Sequence, residues 1–304
     1  MTERYPLSPD DIEKESRKHV KLILEKIGDL HAGESSDCFN ELVTGIRHLF
    51  IATDSVRMLT YRYASWIEFH ENQELLHRLG NSYAVGGLRS LRLAIFEAIV
   101  VSITRLICTT GSKYNSLSLQ KICNCLLKPK IKEKLICYHI KATSSFPARY
   151  GMVAPKNNQE KIILDNLTQN TISQQKVAIE QSFKKLTNLK KRLNHRDTKE
   201  ALDRIDTARN KMIAHFDIEH DIILDPVQSS DIEILVKIIY EITELANFIG
   251  LNRASPRDVP TRAFLCAKSL SNSIQKPSPE QDMASLKEAQ QLGISFIRDF
   301  CSVN

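Results

Sequence analysis

Across residues 159–193 the apolar side chains Ile162, Ile163, Leu167, Ile172, Val177, Ile179, Phe183, Leu186, Leu189 and Leu193 recur mostly at steps of three and four. That is the period of an α-helix, sustained over the whole stretch, and it predicts one long, regular helix. Lys184, Lys185, Lys190, Lys191 and Arg192 take its polar side, so the helix is basic.

Similar spacing predicts further helices over residues 10–29, 37–79 (long enough for two), 88–109, 116–127, 130–143, 197–215, 231–249, 261–271 and 280–300. The 88–109 stretch is apolar on nearly all sides and reads as a central helix. Gly80-Asn81 and Gly86-Gly87 flank the break before it. Asp197 or Thr198 is expected to cap the 197–215 helix, Ser229 or Ser230 the 231–249 helix, and Gly250 to stop the latter. Pro147, Gly151 and Pro155 make 144–158 a loop. With only 10 Gly and 10 Pro in 304 residues, an all-α fold follows. The expected divisions are an N-terminal helix at 1–36, a helical domain at 37–250 and a C-terminal helical extension at 251–304, where Pro256, Pro260, Pro277 and Pro279 cluster.

Charge is unevenly placed. Residues 128–199 hold 16 Lys or Arg against 5 Asp or Glu, a net +11 inside a chain of net +6, so the rest sums to −5. Such a segment draws a phosphate-rich partner, or else forms a solvated helix face. The start of the chain has no signal-peptide pattern and the longest apolar run falls short of a membrane span, so a cytoplasmic protein with no membrane partner is expected. Seven Cys without a CxxC pair point to reduced thiols; Cys123 and Cys125 are too close for ordinary zinc spacing, and neither a metal nor a cofactor is expected. Gly111-Ser112-Lys113 lacks the preceding glycine of a phosphate loop, and HExxH and GxSxG are absent.

One heptapeptide carries chemistry: Arg209-Asn210-Lys211-Met212-Ile213-Ala214-His215. Arginine offers a permanent cation whose planar fork matches a phosphate, histidine exchanges a proton near neutrality, and asparagine orients a partner or substrate. Together they cover charge stabilisation, proton transfer and positioning on a phosphodiester without a metal. On a straight helix, however, Arg209 and His215 project about 120° apart. Either the helix breaks near Arg209-Asn210 or a second copy of the chain completes the site.

Arg204, Ala208, Lys211 and His215 share one stripe, where Arg204 and Lys211 either place positive charge beside the imidazole or pair in solvent with Asp203, Asp206 or Asp217. Glu97 and Arg105, about 80° apart on the apolar 88–109 helix, need partners there; they either face a polar interior or form a buried ion pair.

Arg209-Asn210, four residues and His215, followed by Phe216-Asp217, resemble the signature of the HEPN superfamily (higher eukaryotes and prokaryotes nucleotide-binding), with wording similar to its abortive-infection branch. The run from Ala94 to Leu106 and Ser116-Leu117-Ser118-Leu119 after it are similar to that branch's long apolar helix and the short helix that follows. The resemblance covers roughly residues 40 to 250. It implies an all-α, HEPN-like helical bundle, here with additional N- and C-terminal helices, that pairs through the motif helices as a homodimer. It also implies a metal-independent endoribonuclease: the RNA 2′-hydroxyl attacks the adjacent phosphate, leaving a 2′,3′-cyclic phosphate and a 5′-hydroxyl. Arg209, Asn210 and His215 would be catalytic, with Lys184, Lys185, Lys190, Lys191, Arg192 and Lys211 binding RNA, Glu97, Arg105 and Arg204 in support, and an antitoxin or inhibitor as a further partner. A non-catalytic nucleotide- or RNA-binding module and a helical interaction protein are the alternatives.

Overall fold

The computed structural model describes residues 8–29, 36–80, 84–107, 118–144, 157–214, 227–253 and 259–274, with the backbone alone at 71 and 211–214. Among these residues there are ten helices and no strand. They are α1 (Pro9–Ile27), α2 (Asp37–Glu71), α3 (Gln73–Leu79), α4 (Ala84–Ile107), α5 (Leu119–Leu126), α6 (Pro129–Ser144), α7 (Asn158–Leu193), α8 (Arg196–Ala214), α9 (Ser229–Leu251) and α10 (Val259–Ser273). The expected all-α bundle is what the chain forms. None of the described helices is long and apolar enough to cross a membrane. The chain forms two compact units, one of Met1–Leu59 with Val100–Arg257 and one of Thr60–Ile99 with Asp258–Asn304.

In the first unit α9 is the most enclosed helix. Ile232, Leu235, Ile238, Ile239, Ile242, Ala246 and Ile249 are fully buried, and α5, α7 and α8 pack around it. Two imidazoles satisfy carbonyls at its C-terminal end, which have no partner within the helix. His139 of α6 donates from Nε2 to the Ile249 carbonyl and His19 of α1 does the same to Gly250, each at 3.0 Å. Gln175 of α7 lies 3.2 Å from His139 Nδ1 and supplies the donor that the neutral ring accepts. Burial lowers the pKa of both histidines. Helices α1 and α6 are joined by the Lys134–Asp29 ion pair and by Lys141 Nζ donating to the Ile27 carbonyl at 2.8 Å.

The second unit packs Phe69, Leu75, Leu79 and Leu88 into one cluster, and Ala64, Ala263 and Ala267 into another where α10 meets α2 through small side chains. Asn72 caps α3 by accepting from Leu75 N–H at 2.9 Å, and its amide donates to Ser271 of α10 at 3.1 Å.

Several expectations change. Gly86-Gly87 lies inside α4, because Ala84, Val85 and Leu88 around it pack on the Phe69 cluster and offset a helical glycine's cost of about 1 kcal/mol each. Helix α4 is not apolar-covered on all sides: Phe96, Ile99, Val100, Ile103 and Leu106 are buried while Leu91, Leu93 and Val101 are exposed. On α7, Ile162, Ile163, Leu167 and Val177 are exposed and burial begins at Ile179. At 36 residues against 23 for α9, α7 outruns its neighbours. Gly250 does not stop α9, which continues to Leu251 and ends on Asn252 in the left-handed region at φ 48. Gly250 instead admits α2: a Cβ there would meet Leu49 Cδ2 at 3.0 Å and Ile46 Cδ1 at 3.2 Å.

Candidate functional site

The site is built on α8, which follows α7 after only Asn194 and His195. Asn194 N–H donates to the Lys191 carbonyl and His195 N–H to that of Arg192, each at 3.0 Å, and His195 opens α8 by accepting from Lys199 N–H. Asp197 and Thr198 therefore sit inside the first turn and neither is the cap. Thr198, Ala201, Ile205 and Ala208 are buried at steps of three, four and three, which fixes the face that α8 turns inward. The helix is unbroken through Arg209-Asn210 to Ala214.

Arg204 settles the rotation of that helix. Its Nε lies 2.8 Å from Asp231 Oδ2 and its Nη2 2.7 Å from Asp231 Oδ1, a bidentate pair with the first turn of α9. The Arg204 side chain is 41% exposed but that of Asp231 only 4%, so the carboxylate depends on its partner. Arg204 holds the Asp231 carboxyl below its usual range, against the upward push of burial. Asp231 Oδ2 also accepts from Gln228 N–H at 3.1 Å, so this reciprocal cap starts α9 where Ser229 or Ser230 was expected to. The solvent pairing of Arg204 with Asp203, Asp206 or Asp217 thus gives way to a carboxylate 27 residues further on. An acid in the first turn of an apolar helix was the signal for it.

Five residues beyond Arg204, Arg209 is half-buried. Its Nε and Nη2 lie 3.3 and 2.9 Å from Asn210 Oδ1, and Nη2 lies 3.2 Å from Asp206 Oδ1. One edge of the guanidinium is therefore occupied within α8, and Asn210 orients Arg209. Asp206 was expected only as a solvent partner of Arg204 or Lys211. His215 lies outside the described residues, as does the Lys211 side chain.

Lys184, Lys185, Lys191 and Arg192 are exposed and Lys190 is half-buried near the end of α7. Lys132 of α6 adds to this surface, with Nζ 5.4 Å from the Phe183 ring centroid. Glu97 is half-buried in the second unit and Arg105 exposed in the first, so neither is a buried charge that its helix obliges to pair. No group of three or more His, Cys, Asp or Glu suited to a metal ion occurs among the described residues.

A family model, HEPN_AbiU2, described as AbiU2, matches residues 36–249, well over half of the chain and inclusive of α8 and most of α9. No match to the curated proteins or to the solved structures accompanies it. With an all-α bundle, a motif helix running through Arg209-Asn210 and this match, the chain belongs to the AbiU2 family of HEPN proteins, which is associated with abortive infection.

Proposed function

We propose that the protein is a metal-independent endoribonuclease acting on cytoplasmic RNA in abortive infection. The observation that carries the reading is the placement of Arg209 near the end of an unbroken helix. One edge of its guanidinium is held by Asp206 and Asn210. A cation so held on one side offers its remaining donors to a phosphate without first losing the freedom of a loose side chain.

In the proposed reaction His215 removes the proton of an RNA 2′-hydroxyl. The 2′-oxygen bonds to the adjacent phosphorus, the bond to the 5′-oxygen breaks, and that oxygen takes a proton from water while His215 returns the one it removed to solvent. The products are a 2′,3′-cyclic phosphate and a 5′-hydroxyl. Arg209 stabilises the anionic phosphate in the transition state, and Asn210 fixes the guanidinium. That α8 does not break at Arg209-Asn210 favours a homodimer in which motif helices of two copies line one cleft. An antitoxin or inhibitor covering that cleft would hold the nuclease silent.

Replacing the ribose at a mapped cleavage position by 2′-deoxyribose is the test of the chemistry. Cleavage there should stop, and the unmodified substrate should yield cyclic phosphate ends. Continued cutting of the deoxy substrate, or 5′-phosphate products, would sink the reading.

A further inference from the structure

The α7–α8 corner gathers Lys190, Lys191 and Arg192 from the end of α7 with Arg196 and Lys199 from the start of α8. All but Lys190 are exposed. Glu200 pairs with Arg196 at 2.7 Å and Asp197 faces His195 at 3.5 Å, so the charge the corner offers a partner rests chiefly on Lys190, Lys191, Arg192 and Lys199. None of the exposed large apolar side chains falls between Val177 and Phe264 among the described residues, so the corner lacks the apolar anchors around which protein partners dock. Charge without apolar contact suits a flexible polyanion followed along its backbone.

The corner is also held at a set distance from Arg209. Thirteen residues of α8 separate Arg196 from Arg209, and at about 1.5 Å per residue this is roughly 20 Å of rigid helix. A stacked strand carries one phosphate per about 3.4 Å, so the axial gap alone corresponds to about six nucleotides, and the strand needs more to pass round the roughly 140° between the two side chains. We infer that the α7–α8 corner is a second RNA-backbone subsite, which grips a single strand about six or more nucleotides from the phosphate at Arg209. The inference rests on the nuclease reading for the role of Arg209, while the corner itself is read out by binding alone. Short oligonucleotides then fill one subsite and longer ones both.

The experiment compares binding of 4-nucleotide and 12-nucleotide single-stranded RNA, followed by fluorescence anisotropy across salt concentrations. The proteins are wild type, the corner variant Lys190→Glu/Lys191→Glu/Arg192→Glu and a charge-matched control, Lys14→Glu/Lys18→Glu/Lys268→Glu, at exposed positions elsewhere. Lengthening the RNA should tighten wild-type binding at least about tenfold. The corner variant should lose that gain, with a log-log salt slope shallower by about 2 for three phosphate contacts at ~0.7 each; the control should keep the gain. Retention of the gain by the corner variant, or equal loss in the control, would overturn the subsite. So would displacement of the 12-mer by poly-glutamate at matching affinity, which would assign the corner to an acidic protein. Length-dependent binding by a wild type that never cleaves would leave the subsite standing and remove the nuclease reading. Cleavage with no length effect at the corner would do the reverse.

Discussion

Arg204 grips both carboxylate oxygens of Asp231, and through this pair the motif helix is locked to the first turn of α9 five residues before Arg209. Removing the arginine leaves a nearly fully buried carboxylate with only a backbone N–H for company. Arg204→Ala should cost about 2–3 kcal/mol in urea unfolding. The acid side carries a signed expectation. The folded pKa of Asp231 lies below its unfolded value of 3.8, so the pair's contribution is present above about pH 4 and is lost as pH falls through the folded pKa. Stability should therefore drop steeply below pH 4 in wild type and much less steeply in Arg204→Ala.

The histidines at the end of α9 predict a second pH window. Burial depresses the folded pKa of both His19 and His139 below 6.5, so the unfolded chain binds more protons between the folded values and 6.5. Stability should rise with pH up to about 6.5 and then level off. His139→Asn should flatten that rise and cost about 2 kcal/mol, because the Ile249 carbonyl and the Gln175 amide lose their partner. Urea midpoints measured from pH 5 to 8 on both proteins check it.

Gly45 of α2 touches Cys125 of α5 so closely that a Cβ would overlap the sulfur and lie 3.2 Å from the Cys125 Cβ. Gly45→Ala should destabilise by about 1–3 kcal/mol through overpacking, although alanine is about 1 kcal/mol the better helix former. In a Cys125→Ala background the same change should become neutral or stabilising. A thermal-melt double-mutant cycle reads the sign reversal directly.

Much of this architecture could be read from residue spacing. The long basic helix was expected within one residue of its ends, since apolar steps of three and four are unambiguous over that length. Glycines misled where tertiary packing outweighed local preference. Gly86-Gly87 is carried inside α4 by its packed neighbours, and Gly250 lies within α9 for the close approach of α2. At the site, Arg209 and Asn210 were legible as residue types, but their mutual contact was not. Nor was Asp231 visible as the anchor of Arg204, because that pair joins residues 27 apart in the chain and depends on how α8 meets α9. Ile162 and Leu167 carried a core-like pattern without a core against them, since periodicity records a face and not what covers it.

A cleft shared between two copies has its own kinetic signature. If one cleft uses Arg209 of one copy with His215 of the other, Arg209→Ala and His215→Ala proteins mixed and allowed to exchange subunits regain an intact pair. Mixing should restore activity to a sizeable fraction, about a quarter, of wild type for random exchange into mixed dimers with one intact pair in two. Sites confined to single chains would show no recovery in the same assay.

The most direct measurement is cleavage of single-stranded RNA in excess EDTA by wild type, Arg209→Ala and His215→Ala, each verified to melt as wild type does. Wild type should cleave without metal, with losses of about 10²–10³-fold for Arg209→Ala and 10²–10⁴-fold for His215→Ala. Cleavage abolished by EDTA, or equal rates for the three proteins, would contradict the proposed mechanism.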